Sequence, residues 1–154
     1  MLLDAQTIIS DKQAITVTAL STNAVDTGVA GVVPGIGPSG VAGVVIHDIG
    51  RGGPILLECQ VTTAFTAAGA ATLQAQLVIA DDAALTTNLL VLQETIAIGK
   101  AVLIPGYKFR LAEEIPPGVT QRFVGINYIV ATGPMTAGNI LAGLVMDRQT
   151  NPTV

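Results

Sequence analysis

RFVGINYIVATGPMTAGNILAGLVMD, residues 122–147, decides the fold. Its interior, 123–146, runs 24 residues without a charge. A membrane helix needs about 20 consecutive, predominantly apolar residues. Here Asn127, Thr132, Gly133, Pro134, Thr136, Gly138 and Asn139 break the run, and in lipid their polar groups would each need a partner. Residues 123–131 and 140–146 are rich in Val, Ile, Leu, Phe and Tyr, types that suit a pleated, buried surface, while 132–139 supplies the Gly, Pro and Asn that turns require. The stretch predicts a buried β-hairpin and no membrane span.

The same pattern extends outward from it. Ile15, Val17 and Ala19 alternate with Thr16 and Thr18, the period of a half-buried strand over 15–20. Between 28 and 53 lie nine of the seventeen glycines, with Pro34 and Pro38, which predicts a long irregular excursion holding one short strand at 41–47. Leu57, Cys59, Val61 and Phe65 share one strand face opposite Glu58, Gln60 and Thr62. Leu73, Ala75, Leu77 and Ile79 repeat the alternation against Thr72, Gln74 and Gln76. Residues 81–88 suit one helical turn or a loop, 89–98 and 101–104 read as strands parted at Gly99, and Pro105-Gly106 marks a turn. Tyr107, Phe109 and Leu111 face away from Lys108 and Arg110, as on an edge strand with one wet face, and Ile115-Pro116-Pro117-Gly118 is a firm break. About eight short strands joined by Gly and Pro turns predict an all-β, two-sheet antiparallel jelly-roll sandwich. It is expected to be one domain over 1–154, with short arms at 1–12 and 147–154.

Composition points to a molecule that hides its surface. Only 12% of residues are charged and 50% are hydrophobic, against about 25% charged in an ordinary globular domain. So few charges cannot cover a lone sandwich, and large exposed apolar patches drive association. Self-association or seating in a larger assembly is expected. The net charge of −4 and the scatter of seven Lys and Arg residues leave no phosphate-neutralising patch, so neither nucleic acid nor membrane is an expected partner. One cysteine, Cys59, excludes an internal disulfide, and with one histidine, His47, it leaves few metal ligands. The start, Met1-Leu2-Leu3-Asp4, has no basic lead-in or long apolar core of a secretion signal.

The short motifs carry little chemistry. Gly35-Ile36-Gly37-Pro38-Ser39-Gly40 spells G-x-G-x-x-G with Glu58 eighteen residues on, but a dinucleotide site needs a helix opening on that loop, and 41–53 is glycine-rich and β-branched. Cys59 sits on an apolar strand face as a small buried residue, and His47-Asp48 ends a strand. Ser10, Ser21 and Ser39 lie in no nucleophile elbow. The adjacent acids Asp81-Asp82 and Glu113-Glu114 point to opposite faces or into solvent. No enzyme activity, cofactor or metal is expected.

Several segments carry a family resemblance. Arg122-Phe123-Val124-Gly125-Ile126-Asn127-Tyr128, Gly133-Pro134-Met135-Thr136-Ala137-Gly138 and Ala142-Gly143-Leu144-Val145-Met146-Asp147 follow one another in order. Met1-Leu2-Leu3-Asp4, Ser21-Thr22-Asn23 before Val25-Asp26, and Asp48-Ile49-Gly50 with Gly53-Pro54 add to them. Together they resemble the jelly-roll cement, or decoration, proteins of tailed-bacteriophage heads. The glycine excursion at 28–43 is longer and emptier of charge than that family leads one to expect. The resemblance implies a structural protein made in the host cytoplasm and carried on the outer surface of the virion. There it would bridge subunits of the major capsid protein and associate with itself as a dimer or trimer. The interface residues expected are Leu2 and Leu3, the loop tip Pro34, Gly35, Ile36 and Gly37, and Asp147 with Arg148. A carbohydrate-binding jelly-roll module of a phage tail or spike is the alternative, disfavoured by five aromatic residues and no Trp.

Overall fold

A computed structural model describes residues 7–28, 57–111 and 115–145, whose regular structure is all β. The strands are β1 (Ile8–Ala14), β2 (Ala19–Leu20), β3 (Val25–Asp26), β4 (Leu57–Thr66), β5 (Thr72–Ala80), β6 (Leu90–Glu94), β7 (Ile98–Gly99), β8 (Phe123–Ala131) and β9 (Ala137–Leu144). One sheet has the order β1-β9-β4; the other has β2-β8-β5-β6, with β3 also on β8 and β7 also on β5. Every pairing is antiparallel.

Period-2 alternation builds the core. On β5, Leu73, Ala75, Leu77 and Ile79 are buried and lie opposite Val130, Tyr128, Ile126 and Val124 of β8. Directly opposed residues share a sheet face, so these eight form one inner surface. Ile9 of β1, Cys59 and Val61 of β4, and Ile140 and Ala142 of β9 meet it from the other sheet in a continuous apolar cluster.

A further segment, 103–109, extends the sheet of β1, β9 and β4. It runs beside β4 through Phe65 N–H to Leu103 O (3.0 Å), Gly106 N–H to Val61 O (2.9 Å), Val61 N–H to Tyr107 O (2.8 Å) and Phe109 N–H to Cys59 O (2.9 Å). Gln60 and Lys108 form an antiparallel bridge there. If β2 with β3 counts as one interrupted strand and β6 with β7 as another, each sheet holds four, eight in all. In chain order they read 1-8-3-6 and 2-7-4-5, and the chain changes sheet at every connection among the described residues except β5 to β6. That is the topology of a jelly roll.

Four sequence expectations are corrected. Strands 123–131 and 140–146 do not form a hairpin: β8 belongs to one sheet and β9 to the other, and residues 132–136 cross between them. Each strand already has neighbours on both sides, so neither needs the other. The 15–20 strand is a bend with only β2 at its end, because the Thr18 hydroxyl accepts from Val130 N–H (3.0 Å) and Ser21 Oγ accepts from Ile126 N–H (3.1 Å) where a strand backbone would have served. The first strand is β1 instead, which takes in residues 8–12 of the expected N-terminal arm. Its alternation is hidden by two register shifts and by Lys12 at φ 48°, which leave the consecutive Ile9 and Ser10 both buried. The 89–98 strand divides into β6 and β7, and 101–104 is a turn in which Val102 and Leu103 donate to Gly99 and Lys100 carbonyls. The expected strand at 41–47 and the glycine-rich loop lie outside the described residues.

Candidate interaction surface

The sandwich has one apolar side. Of the seven large hydrophobic residues exposed among the described residues, six fall between 89 and 104: Leu89, Leu90, Val91, Ile96, Val102 and Ile104, with Ile96 at 78%. The topology gathers them. Among the described residues β6 is the outermost strand of its sheet, segment 103–109 is the outermost of the other, and the short link from β7 brings the two borders together. β6 is irregular there, since Leu77 pairs with Gln93 and Val78 with Val91, leaving Leu92 as an extra residue. A bulge of this kind twists a border strand and limits indiscriminate strand pairing.

Between the borders lies an open cleft of about 380 Å³, lined by Thr95, Ile96, Ile98, Tyr107, Lys108, Phe109 and Arg110. Tyr107 and Phe109 meet edge to face, 5.2 Å between ring centres at 83°. Phe109 and Leu111 are buried and Tyr107 is half-buried, while Lys108 and Arg110 are exposed, as the alternation predicted. Glu58, on the strand face opposite Leu57, Cys59 and Val61, is only 3% exposed. Its Oε1 accepts no aligned hydrogen bond and is compensated by Lys108 Nζ at 2.5 Å. Removing the ammonium would leave a buried charge unpaired.

The sandwich interior holds a polar chain of its own. Ser10 Oγ donates to Gln13 Oε1 (2.8 Å) and therefore accepts from the Tyr128 hydroxyl at 2.9 Å. Gln13 Nε2 passes the chain to Leu20 O (2.8 Å), and Thr22 N–H also donates to Gln13 Oε1 (3.0 Å). The Cys59 thiol lies near the Tyr128 hydroxyl at the other end. Burial pushes the thiol up to about 12 from 9.0 and raises the Tyr128 phenol as well, so both stay protonated near neutrality. The Cys59 thiol is thus a poor nucleophile, since reactivity belongs to the thiolate.

Two other clusters shape loops. Asp82 Oδ1 accepts from Thr86 N–H (2.9 Å) and Thr87 N–H (2.6 Å), and Asp81 Oδ2 accepts from Asn88 Nδ2 (2.6 Å). The bond from Thr87 N–H holds the Asp82 carboxyl below its usual range. This loop seats Leu85, at φ 57°, over Gly125, where an added Cβ would lie 2.3 Å from Leu85 Cδ1. Arg122 grips Asp26 in a two-pronged pair, Nε to Oδ1 at 2.5 Å and Nη2 to Oδ2 at 2.6 Å. The pair fixes the end of β3 to the start of β8.

The residues expected at an interface, Leu2, Leu3, Pro34, Gly35, Ile36, Gly37, Asp147 and Arg148, lie outside the described residues, as do His47-Asp48 and Glu113-Glu114. Sequence reasoning missed the 89–104 patch because apolar alternation there reads equally well as buried strand. Two border strands, one bulged, leave one flank of such a run uncovered. Among the described residues no group of three or more His, Cys, Asp or Glu side chains converges.

The family model described as Bbp16 matches residues 9–144, from the first strand to the last. No curated protein matches the chain.

Proposed function

The chain belongs to the Bbp16 family, a phage-associated family, and from that premise we propose that it is a cement protein of a tailed-phage head. It binds the outer surface of the assembled shell, bridges neighbouring major capsid subunits, and associates with itself as a dimer or trimer. The observation that carries this reading is the gathering of six exposed large hydrophobics on one side of a charge-poor sandwich. An apolar patch of that kind is costly in water and characteristic of a surface built for contact. Shell subunits repeat, so modest contacts by each copy add through multivalency.

The test uses phage heads lacking this protein. Adding the purified chain should raise the temperature at which the heads release DNA, and light scattering should report a defined dimer or trimer. Heads that neither bind the chain nor gain heat resistance refute the reading. A carbohydrate-binding module gains less support: Phe109 is buried, Tyr107 packs its ring against it, and Phe123 lies under the Arg122 guanidinium at 5.1 Å. These rings offer no open platform for a sugar.

A further inference from the structure

The apolar side of the sandwich is also its basic side. Three of the seven Lys and Arg residues, Lys100, Lys108 and Arg110, fall between 89 and 111, against one acid, Glu94. With Glu58, which Lys108 meets, this border carries three cations against two acids, a positive balance on a chain whose net charge is −4. Two of these cations are engaged: Lys100 Nζ donates to Ala67 O, and Lys108 Nζ meets Glu58. Arg110 is exposed at the cleft wall and has no polar partner among the described residues.

Among the described residues the backbone beside it is also open. Segment 103–109 uses Tyr107 O and Phe109 N–H to hold β4. In an antiparallel ladder successive residues turn their polar groups to opposite sides, so Lys108 directs its own N–H and C=O away from β4. Among the described residues the cleft thus offers a strand border, an apolar hollow floored by Ile98, Tyr107 and Phe109, and an unpaired guanidinium. These are the parts used to add an extended peptide to a sheet border.

We propose that this cleft docks an extended, carboxylate-bearing segment of the shell protein. An apolar side chain of that segment fills the hollow, and its carboxylate pairs with Arg110. This deepens the cement reading and rests on it. Charge decides against a two-fold pairing of copies through the cleft, because such a contact places the same patch on both partners and would set Lys100 and Arg110 against their own equivalents. A nucleic acid is also a poor fit. Its affinity comes from several free cations neutralising phosphates, and two of the three are already engaged.

The experiment measures binding of wild type, Ile96→Asp, Arg110→Glu and Val17→Asp to heads lacking this protein, at low and high salt. Ile96 and Val17 are 78% and 59% exposed, so neither change should disturb the core, and thermal unfolding of each variant checks this. Ile96→Asp and Arg110→Glu should weaken head binding roughly tenfold or more, with the oligomer's mass unchanged and Val17→Asp as wild type. Salt should weaken wild type more than Arg110→Glu. Wild-type binding retained by both cleft variants overturns the cleft assignment while leaving the cement reading in place, whereas failure of wild type to bind removes the cement reading itself. Loss of oligomer mass with head binding intact would make the cleft a contact between copies, also overturning the proposal.

Discussion

Replacing Tyr128 by Phe tests whether the polar chain inside the sandwich couples the two sheets. The ring stays, so no cavity opens, and only the hydroxyl that donates to Ser10 Oγ at 2.9 Å is lost. A net hydrogen bond contributes about 0.5–1.5 kcal/mol, and the buried Ser10 oxygen is left without its donor, so the cost should be about 1–2 kcal/mol. In a domain of this size that lowers Tm by roughly 3–6 °C. Ser10→Ala should cost a similar amount, because it leaves the buried Tyr128 O–H without its oxygen acceptor. The Ser10→Ala/Tyr128→Phe double variant should lose less than the sum by about 0.5–1.5 kcal/mol, since both changes break one bond. Guanidinium unfolding of the four proteins, followed by circular dichroism, gives the cycle. A Tyr128→Phe change within about 0.3 kcal/mol of wild type, or strict additivity, would refute the coupling.

Gly138 sits at φ 143° with an added Cβ only 2.2 Å from Phe65 Cδ1, whereas Gly133, at φ 106°, has nothing within 4 Å. Gly138→Ala should therefore cost about 2–4 kcal/mol and Gly133→Ala about 1 kcal/mol in denaturant unfolding; equal costs would show that the ring gives way. Cys59, held up to about 12, should resist a thiol reagent at pH 8 in the folded protein and react after unfolding. Its contribution to stability is whole below its ordinary 9.0 and is lost as pH climbs through about 12, so Cys59→Ala should flatten the alkaline limb of the stability curve. Asp82 is displaced the other way: its stabilisation is present above its ordinary 3.8 and fades as pH falls below it. Asp82→Asn should shrink the acid limb and speed hydrogen exchange at Thr86 and Thr87.

The clearest sequence signals correspond to the best-formed strands. The alternations at 57–65 and 72–80 became β4 and β5, and the apolar run at 123–131 is β8 residue for residue. Two signals misled. The alternation at 15–20 reflects a bend in which the Thr18 hydroxyl bonds Val130 of β8, and the quiet stretch before it is β1, its pattern erased by shifts in register. The apparent hairpin failed because sequence shows that two strands are apolar, not which sheet each joins. At the candidate surface, Arg110 and Lys108 were placed on the outer face, but their convergence with Ile96 across a cleft depends on two sheet borders meeting, which no local pattern encodes.

β9 lies between β1 and β4, so the first and the last of the described strands are neighbours, as in Ile8 opposite Gly143. Chains leave the ribosome N-terminus first, and contacts so distant in sequence slow folding. While 137–144 is still unmade, β1 lacks its neighbour and β4 keeps one flank open, so the nascent chain cannot close its interior. Folding should therefore be withheld until the chain has been made through Leu144. A prematurely terminated copy would be recognised by proteases before it could compete for a place in any assembly.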